Sequence, residues 1–389
     1  MGRISDKHAN PKSKLPDVGT TIFTVMSEMA QEHNALNLSQ GFPDFDTPAA
    51  LLERVSHYLN SSHNQYAPMP GVPALRQAIA AKLMRCYQVD ADADAEITVT
   101  SGATEALFSA INAFVGRGDE VIVFDPAYDS YDPAIRLAGG TAVHLPLRTG
   151  DFSVDWELVR NSVTPRTRMI VVNSPHNPTG AVFSEQDLRT LSAIACEHDL
   201  LVLSDEVYEH IIFDGLRHES VLRLPELRQR SLSVSSFGKT YHATGWKIGY
   251  VVAPPELTRE FRKVHQFNQF TVVTPMQFAL ADYLNDHPEH DESLPAFYQA
   301  KRDHFCELLK DSRFTLSPAK GTYFQLLDYS DISDKPDTLY VEELTRKAGI
   351  SAIPISVFSE DPGRQRLLRF CFAKSEATLE KAAEILCRI

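Results

Sequence analysis

From about Ile97 onward the hydrophobic positions fall into short runs, separated by stretches with helical spacing. Ile97–Thr100, Val121–Phe124, Ala142–Leu145, Met169–Asn173, Leu200–Ser204, Leu232–Ser236 and Ile248–Val252 have the length and the Val/Ile content of buried strands. Between them, apolar residues recur at helical spacing over Thr104–Val115, Tyr131–Ala138, Asp155–Ser162 and Glu185–His198. Apolar strands alternating with helices predict a mostly parallel sheet covered on both faces, an α/β large domain over residues 48–286.

The texture changes after Asp286. A polar stretch, His287–Pro295, precedes a long helix over Ala296–Leu309. Phe314–Leu316 and Tyr323–Leu327 read as strands about a turn at Ala319–Thr322. A helix over Val341–Ala348, a strand over Leu367–Phe372 and a closing helix over Ala377–Arg388 follow. This mixture predicts a smaller α+β domain over residues 287–389, with the N-terminal segment, residues 1–47, packed against it.

Composition narrows the function classes. The net charge of -13 opposes nucleic-acid binding, which needs a basic footprint. No apolar run approaches the roughly 18 residues of a membrane span, and the polar, proline-punctuated stretch Met1–Thr20 lacks the core of a signal peptide. The five cysteines, Cys86, Cys196, Cys306, Cys371 and Cys387, are scattered, with no CxxC pair. Neither a disulfide framework nor a metal site is expected, and a reducing cytoplasm fits.

Open α/β sheets bind ligands beyond the carboxyl ends of their strands. Four of the predicted strands deliver candidate chemistry there: Gly102-Ala103-Thr104 at the start of a helix, Asn177, Asp205 and Lys239. That inventory matches what pyridoxal 5'-phosphate requires. An amine forms the Schiff base, and a carboxylate keeps the pyridine nitrogen protonated. A helix N-terminus suits the phosphate, and an amide or phenol can bond the ring hydroxyl.

Ser235-Ser236-Phe237-Gly238-Lys239-Thr240 followed by Gly245-Trp246-Lys247-Ile248-Gly249 resembles the lysine segment of class-I aminotransferases of fold type I. His176-Asn177-Pro178-Thr179-Gly180, Ser204-Asp205-Glu206-Val207-Tyr208, Gln40-Gly41-Phe42-Pro43-Asp44-Phe45, Asn64-Gln65-Tyr66 and Arg369-Phe370-Cys371-Phe372 resemble further segments of that family, in the same order. Within it, the chain is similar to bacterial methionine aminotransferases and to kynurenine aminotransferase/cysteine-conjugate β-lyase.

The resemblance implies Lys239 as the Schiff-base lysine and later proton carrier, and Asp205 as partner of the ring nitrogen. It implies Asn177 and Tyr208 on the ring hydroxyl, and Tyr128 stacked on the ring. Gly102, Ala103, Thr104, Ser236 and Lys247 are implied around the phosphate, Lys247 standing where many relatives carry arginine. Tyr66 is implied to reach the phosphate of a neighbouring subunit in a homodimer. Arg369 is implied to grip the substrate carboxylate, helped by the backbone at Gly41, because a guanidinium fork matches a carboxylate. Phe23 and Phe270 are the weaker substrate-side candidates, for which core packing is the competing reading.

Each residue has a plainer reading in isolation. Asp205 can be a helix cap, Asn177–Gly180 an ordinary turn, and Arg369 a structural ion-pair partner. Their conjunction favours an aminotransferase acting on methionine and aromatic amino acids with a 2-oxo acid, by a ping-pong route. The rivals are a kynurenine aminotransferase/cysteine-conjugate β-lyase activity on the same fold, and a cofactor-sensing regulator. The regulator is disfavoured by the charge and by the few residues ahead of about Leu15.

Overall fold

The computed structural model describes residues 12–361, 363 and 365–389. Met1–Pro11, the first part of the polar N-terminal stretch, lie outside the described residues. A two-residue strand, β1 (Leu36–Asn37), comes first. The strands of the central sheet follow: β2 (Ile97–Thr100), β3 (Glu120–Asp125), β4 (Thr141–Pro146), β5 (Thr167–Asn173), β6 (Leu201–Asp205), β7 (Ser231–Ser236) and β8 (Gly249–Val252). Their spatial order is β2-β8-β7-β6-β5-β3-β4. All neighbours run parallel except β8, which is antiparallel to both β2 and β7. The expected α/β sheet is therefore present, with its strand positions as the hydrophobic runs indicated.

Register explains where chemistry collects. Asn173 at the end of β5 pairs with Asp205 at the end of β6. Thr100 at the end of β2 and Ser236 at the end of β7 both pair with Gly249, the first residue of β8. The single reversed strand thus leaves the carboxyl ends of β2, β5, β6 and β7 on one edge.

The last third builds a second, antiparallel sheet from β9 (Phe324–Asp328), β11 (Ile353–Pro354) and β12 (Leu367–Cys371), while β10 (Ile350–Ser351) pairs in parallel with β1. Met26, Met29 and Leu38 from the N-terminal segment share a core with Phe324, Phe370 and Phe372.

Three readings of this region need correction. Phe314–Leu316 is not a strand; Thr315 alone exchanges backbone bonds with Asp328. The Gln325 amide takes Ser317 O at 2.8 Å and the Ala319 N–H at 3.1 Å, so a side chain replaces the ladder. The polar stretch before Ala296 is mostly helix: Glu289–Leu308 is continuous, with Glu289, Asp291 and Glu292 in its first turn, where the helix dipole favours acids. The helix expected over Val341–Ala348 begins earlier, as Asp337–Glu343, and widens into a π turn, Leu344–Ala348, closed by Gly349.

Candidate active site

Ten of the residues singled out from the sequence line one cavity at the shared strand edge: Gly102, Ala103, Thr104, Tyr128, Asn177, Asp205, Tyr208, Ser236, Lys239 and Lys247. The helix Gly102–Phe114 points its first turn into this space, and its preceding Ser101 provides no side-chain cap. Helix N-termini leave backbone N–H groups unpaired and carry partial positive charge. Gly102 adopts φ +76, and a Cβ there would lie 3.4 Å from Lys247 Nζ. An uncapped helix start and an ammonium therefore converge on one corner, which suits a phosphate.

Across the cavity Asp205 is buried at the end of β6. Its partners are the Tyr131 hydroxyl, at 2.7 Å, and the Val207 N–H, at 3.3 Å. Burial pushes its carboxyl up to about 6, against the pull of Tyr131, Val207 N–H and Lys239. A buried carboxylate whose hydrogen-bond donors are neutral is stabilised by an added cation. Asn173 fixes the backbone around it, donating to the Asp205 carbonyl at 2.8 Å and accepting the Asn177 N–H at 2.8 Å.

Lys239 follows β7 in the short helix Phe237–Thr240. Its Nζ donates to the Tyr323 hydroxyl at 3.0 Å and to the Gly41 carbonyl at 3.4 Å. Burial lowers its pKa to about 8, helped by the positive charges of Lys247 and Arg369 and opposed by Cys371 and Asp205. Near neutral pH an appreciable fraction of this amine is neutral, a condition for nucleophilic or basic work.

Arg369 is buried in β12. It donates to Asn177 Oδ1 at 2.7 Å and to Ser39 O at 3.0 Å, and its Nε has no partner. Its guanidinium lies 3.8 Å from the Phe324 ring centroid and 5.1 Å from that of Phe23. The partners are an amide and a carbonyl, so the charge is left for a carboxylate to neutralise. Gly41 and Phe23 are thus close to the lysine and the arginine respectively. Tyr66 and Phe270 do not line this cavity; they touch each other edge to face, at 5.4 Å, and are 82% and 51% exposed.

Sequence reasoning passed over Tyr131, Asn173 and Tyr323. In the sequence Tyr131 shows only as the start of a helix, and Tyr323 as the start of a strand. Asn173 was legible only as the last residue of an apolar run. Each acts on another site residue, and nothing in the spacing marks such a role.

The residues fit pyridoxal 5'-phosphate: a free amine, a buried carboxyl that calls for a cation, and an uncapped helix start beside an ammonium occupy one cavity. Similarity to known proteins agrees with this chemistry. The family model for aminotransferase class I and II matches residues 33–386. Methionine aminotransferase of Escherichia coli is 54% identical over 376 residues, covering 97% of each chain. A crystal structure from the same organism, described as identifying a methionine aminotransferase function, superposes with a TM-score of 0.96 at 53% identity, covering 98% of this chain and 100% of the other. Human kynurenine--oxoglutarate transaminase 3 is 33% identical, covering 99% of this chain and 91% of the relative. The chain belongs to the class I and II aminotransferases and is a pyridoxal 5'-phosphate-dependent enzyme.

Proposed function

We propose that this enzyme transfers the amino group of methionine and of aromatic amino acids to a 2-oxo acid by a ping-pong route. The observation that carries the reading is the placement of the Lys239 amine in one cavity with the Asp205 carboxyl, while Arg369, bonded to Asn177 at 2.7 Å, has no anionic hydrogen-bond partner. The preference for methionine rests on the 54% identity to the Escherichia coli enzyme and on the aromatic rings of Phe23 and Phe324 about Arg369.

When bound, pyridoxal 5'-phosphate supplies the carbonyl that joins an amine and the ring that accepts electrons from Cα. The protein's part is binding, orientation and proton movement. The first turn of Gly102–Phe114, through Gly102, Ala103 and Thr104, holds the phosphate with Ser236 and Lys247. Asp205 holds a proton on the ring nitrogen, and Tyr131 keeps that carboxyl in place. Asn177 and Tyr208 bond the ring hydroxyl, and Tyr128 covers the ring face. Arg369, with the backbone at Gly41, orients the substrate carboxylate, and Phe23 walls its side chain. Lys239 Nζ, once free, takes the proton from Cα.

The protein works as a cytoplasmic homodimer in which Tyr66 and Phe270 complete the neighbour's site. Their exposure, with Phe267 at 87%, supports a covered face in the assembly. No helix among the described residues is long and apolar enough to cross a membrane. The chain divides into a large domain, residues 48–286, and a small domain, residues 287–389, which packs with residues 1–47. The core that joins Met26 and Leu38 to Phe324 and Phe370 supports the packing of the N-terminal segment with the small domain, and Val207, Tyr208, Ile211 and Phe213 of the large domain extend it.

A second reading, kynurenine transamination or β-elimination from cysteine conjugates, is favoured by the similarity to human kynurenine--oxoglutarate transaminase 3. Borohydride treatment of the holoenzyme, followed by peptide mapping, tests the core of the proposal. Label on Lys239 is expected, and label on another lysine overturns it. Product analysis then separates transamination, which yields a new amino acid, from elimination, which yields ammonia and pyruvate.

A further inference from the structure

Tyr323 stands immediately before β9, and its hydroxyl faces the lysine rather than solvent. The ring is fully buried, 5.1 Å from Tyr208 and 4.9 Å from Phe324 between centroids. Its backbone carbonyl accepts the Phe372 N–H at 2.9 Å, which ties it to the chain just beyond β12. Burial holds its pKa well above the ordinary phenol range, so it keeps its proton. That one proton goes to the Gly41 carbonyl, at 2.6 Å. Toward Lys239 Nζ, at 3.0 Å, the phenol oxygen can therefore act only as an acceptor.

A neutral primary amine has two N–H bonds and one lone pair. Tyr323 Oη and Gly41 O, at 3.0 and 3.4 Å, are acceptors for the two N–H bonds. Neither competes for the lone pair, which is what a proton acceptor needs.

Gly41 is itself closely covered by aromatic rings. A Cβ at this position would lie 2.8 Å from Phe324 Cζ and 3.5 Å from Tyr323 Cε2. The ring of Phe324 thus packs closely on Gly41 with that of Tyr323 beside it, and Phe324 lies beneath the Arg369 guanidinium, 3.8 Å from its carbon. Tyr323 touches the amine and the Gly41 carbonyl; Phe324 touches Gly41 and the arginine.

We propose that Tyr323 is a positioning residue: its hydroxyl holds the ε-amine of Lys239 whenever that amine is free, and ties the amine's place to the Gly41 segment. The proposal rests on Lys239 being the Schiff-base lysine. It makes the base and the backbone beside the substrate carboxylate a single mechanical unit, joined through one phenol. Accepting a hydrogen bond favours the ammonium over the amine, so loss of the acceptor lowers the amine's proton affinity.

The test uses the cofactor-free enzyme, its fold checked by circular dichroism. Lys239 is reductively methylated with formaldehyde and cyanoborohydride across pH, and its modification is followed by peptide mass spectrometry. In Tyr323→Phe the midpoint for Lys239 is expected to fall by about one pH unit, a roughly tenfold loss of proton affinity, the scale of one charge-assisted hydrogen bond. Replacement of Tyr323 by 3-fluorotyrosine keeps the shape but weakens the oxygen as an acceptor, and a smaller shift in the same direction is expected. With cofactor restored, Tyr323→Phe should lower kcat about tenfold and displace its acid limb to lower pH, which loss of packing alone does not do. Midpoints for both variants equal to that of the native enzyme overturn the positioning role. Borohydride labelling of a lysine other than Lys239 in the native holoenzyme instead overturns the assignment on which it rests, so the two failures are distinct.

Discussion

The Tyr131 hydroxyl donates to Asp205 Oδ2 at 2.7 Å, at the end of the strand that delivers the carboxyl to the cavity. A neutral phenol fixes this group without neutralising it. Its charge therefore stays available to a protonated ring nitrogen, and burial strengthens that interaction relative to water.

Asp205→Asn is accordingly expected to fold and to bind cofactor while losing amino-transfer activity by about a hundredfold or more, because an amide cannot hold the ring nitrogen protonated. Tyr131→Phe should retain much more activity, since the carboxylate remains. Half-reaction rates for the two variants decide this, and an Asp205→Asn enzyme of near-native rate places the electron sink elsewhere.

The sheet was legible because its strands are apolar runs separated by periodic helices, and the site residues because strand ends in such a sheet converge. The helix Pro73–Tyr87 was not legible: it buries Arg76 and Lys82 among its apolar residues, which masks the helical period. Lys82 is buried because Glu209 lies 2.6 Å away and Tyr250 OH 2.7 Å away, partners remote in sequence. In the same way Gln325 abolished an expected strand by bonding the backbone that would have formed it. Side-chain networks of this kind override local pattern, and a single sequence does not display them. The motif singled out Arg369 as a candidate substrate grip; its stacking on Phe324 was not legible.

The Lys82–Glu209 pair carries a stability prediction. Both side chains are about 4% exposed, and Tyr87 also donates to Glu209. Removing only one partner strands the other charge in the core, at a cost of about 3–5 kcal/mol. Lys82→Met should therefore be strongly destabilised in denaturant unfolding. The double variant Lys82→Met/Glu209→Gln should recover much of the loss. Equal destabilisation of the single and double variants indicates a packing defect rather than a stranded charge.

Assembly is tested by complementation. Tyr66, 82% exposed and in contact with Phe270, lies outside the cavity of its own chain. In the proposed dimer, Lys239→Ala and Tyr66→Phe subunits have low activity separately. After mixing and subunit exchange, some hybrid sites contain neither lesion, so part of the activity should return. Demonstrated exchange with no recovery argues that each subunit builds its site alone.

Substrate choice follows from charge and aromatic surface. The cations lining the cavity are Lys239 and Lys247, and Arg369 is bonded to Asn177 beside it. In the proposed roles these three serve the Schiff base, the phosphate and the α-carboxylate, which leaves none of them for a second carboxylate. The rings of Phe23 and Phe358 lie 5.7 Å apart, and Phe23 and Phe324 both contact the guanidinium. Thioether sulfur gains about 0.3–1.5 kcal/mol against an aromatic ring, whereas a carboxylate desolvated there without a partner is penalised. Methionine and phenylalanine should therefore exceed aspartate in kcat/KM for the half-reaction by about tenfold or more, the effect of 1.4 kcal/mol in the transition state. Kynurenine, measured in the same series, reports how far a larger aromatic donor is accepted. Aspartate equal to methionine overturns this pocket reading, and it leaves the roles proposed for Lys239 and Asp205 untouched, because neither depends on the donor's side chain.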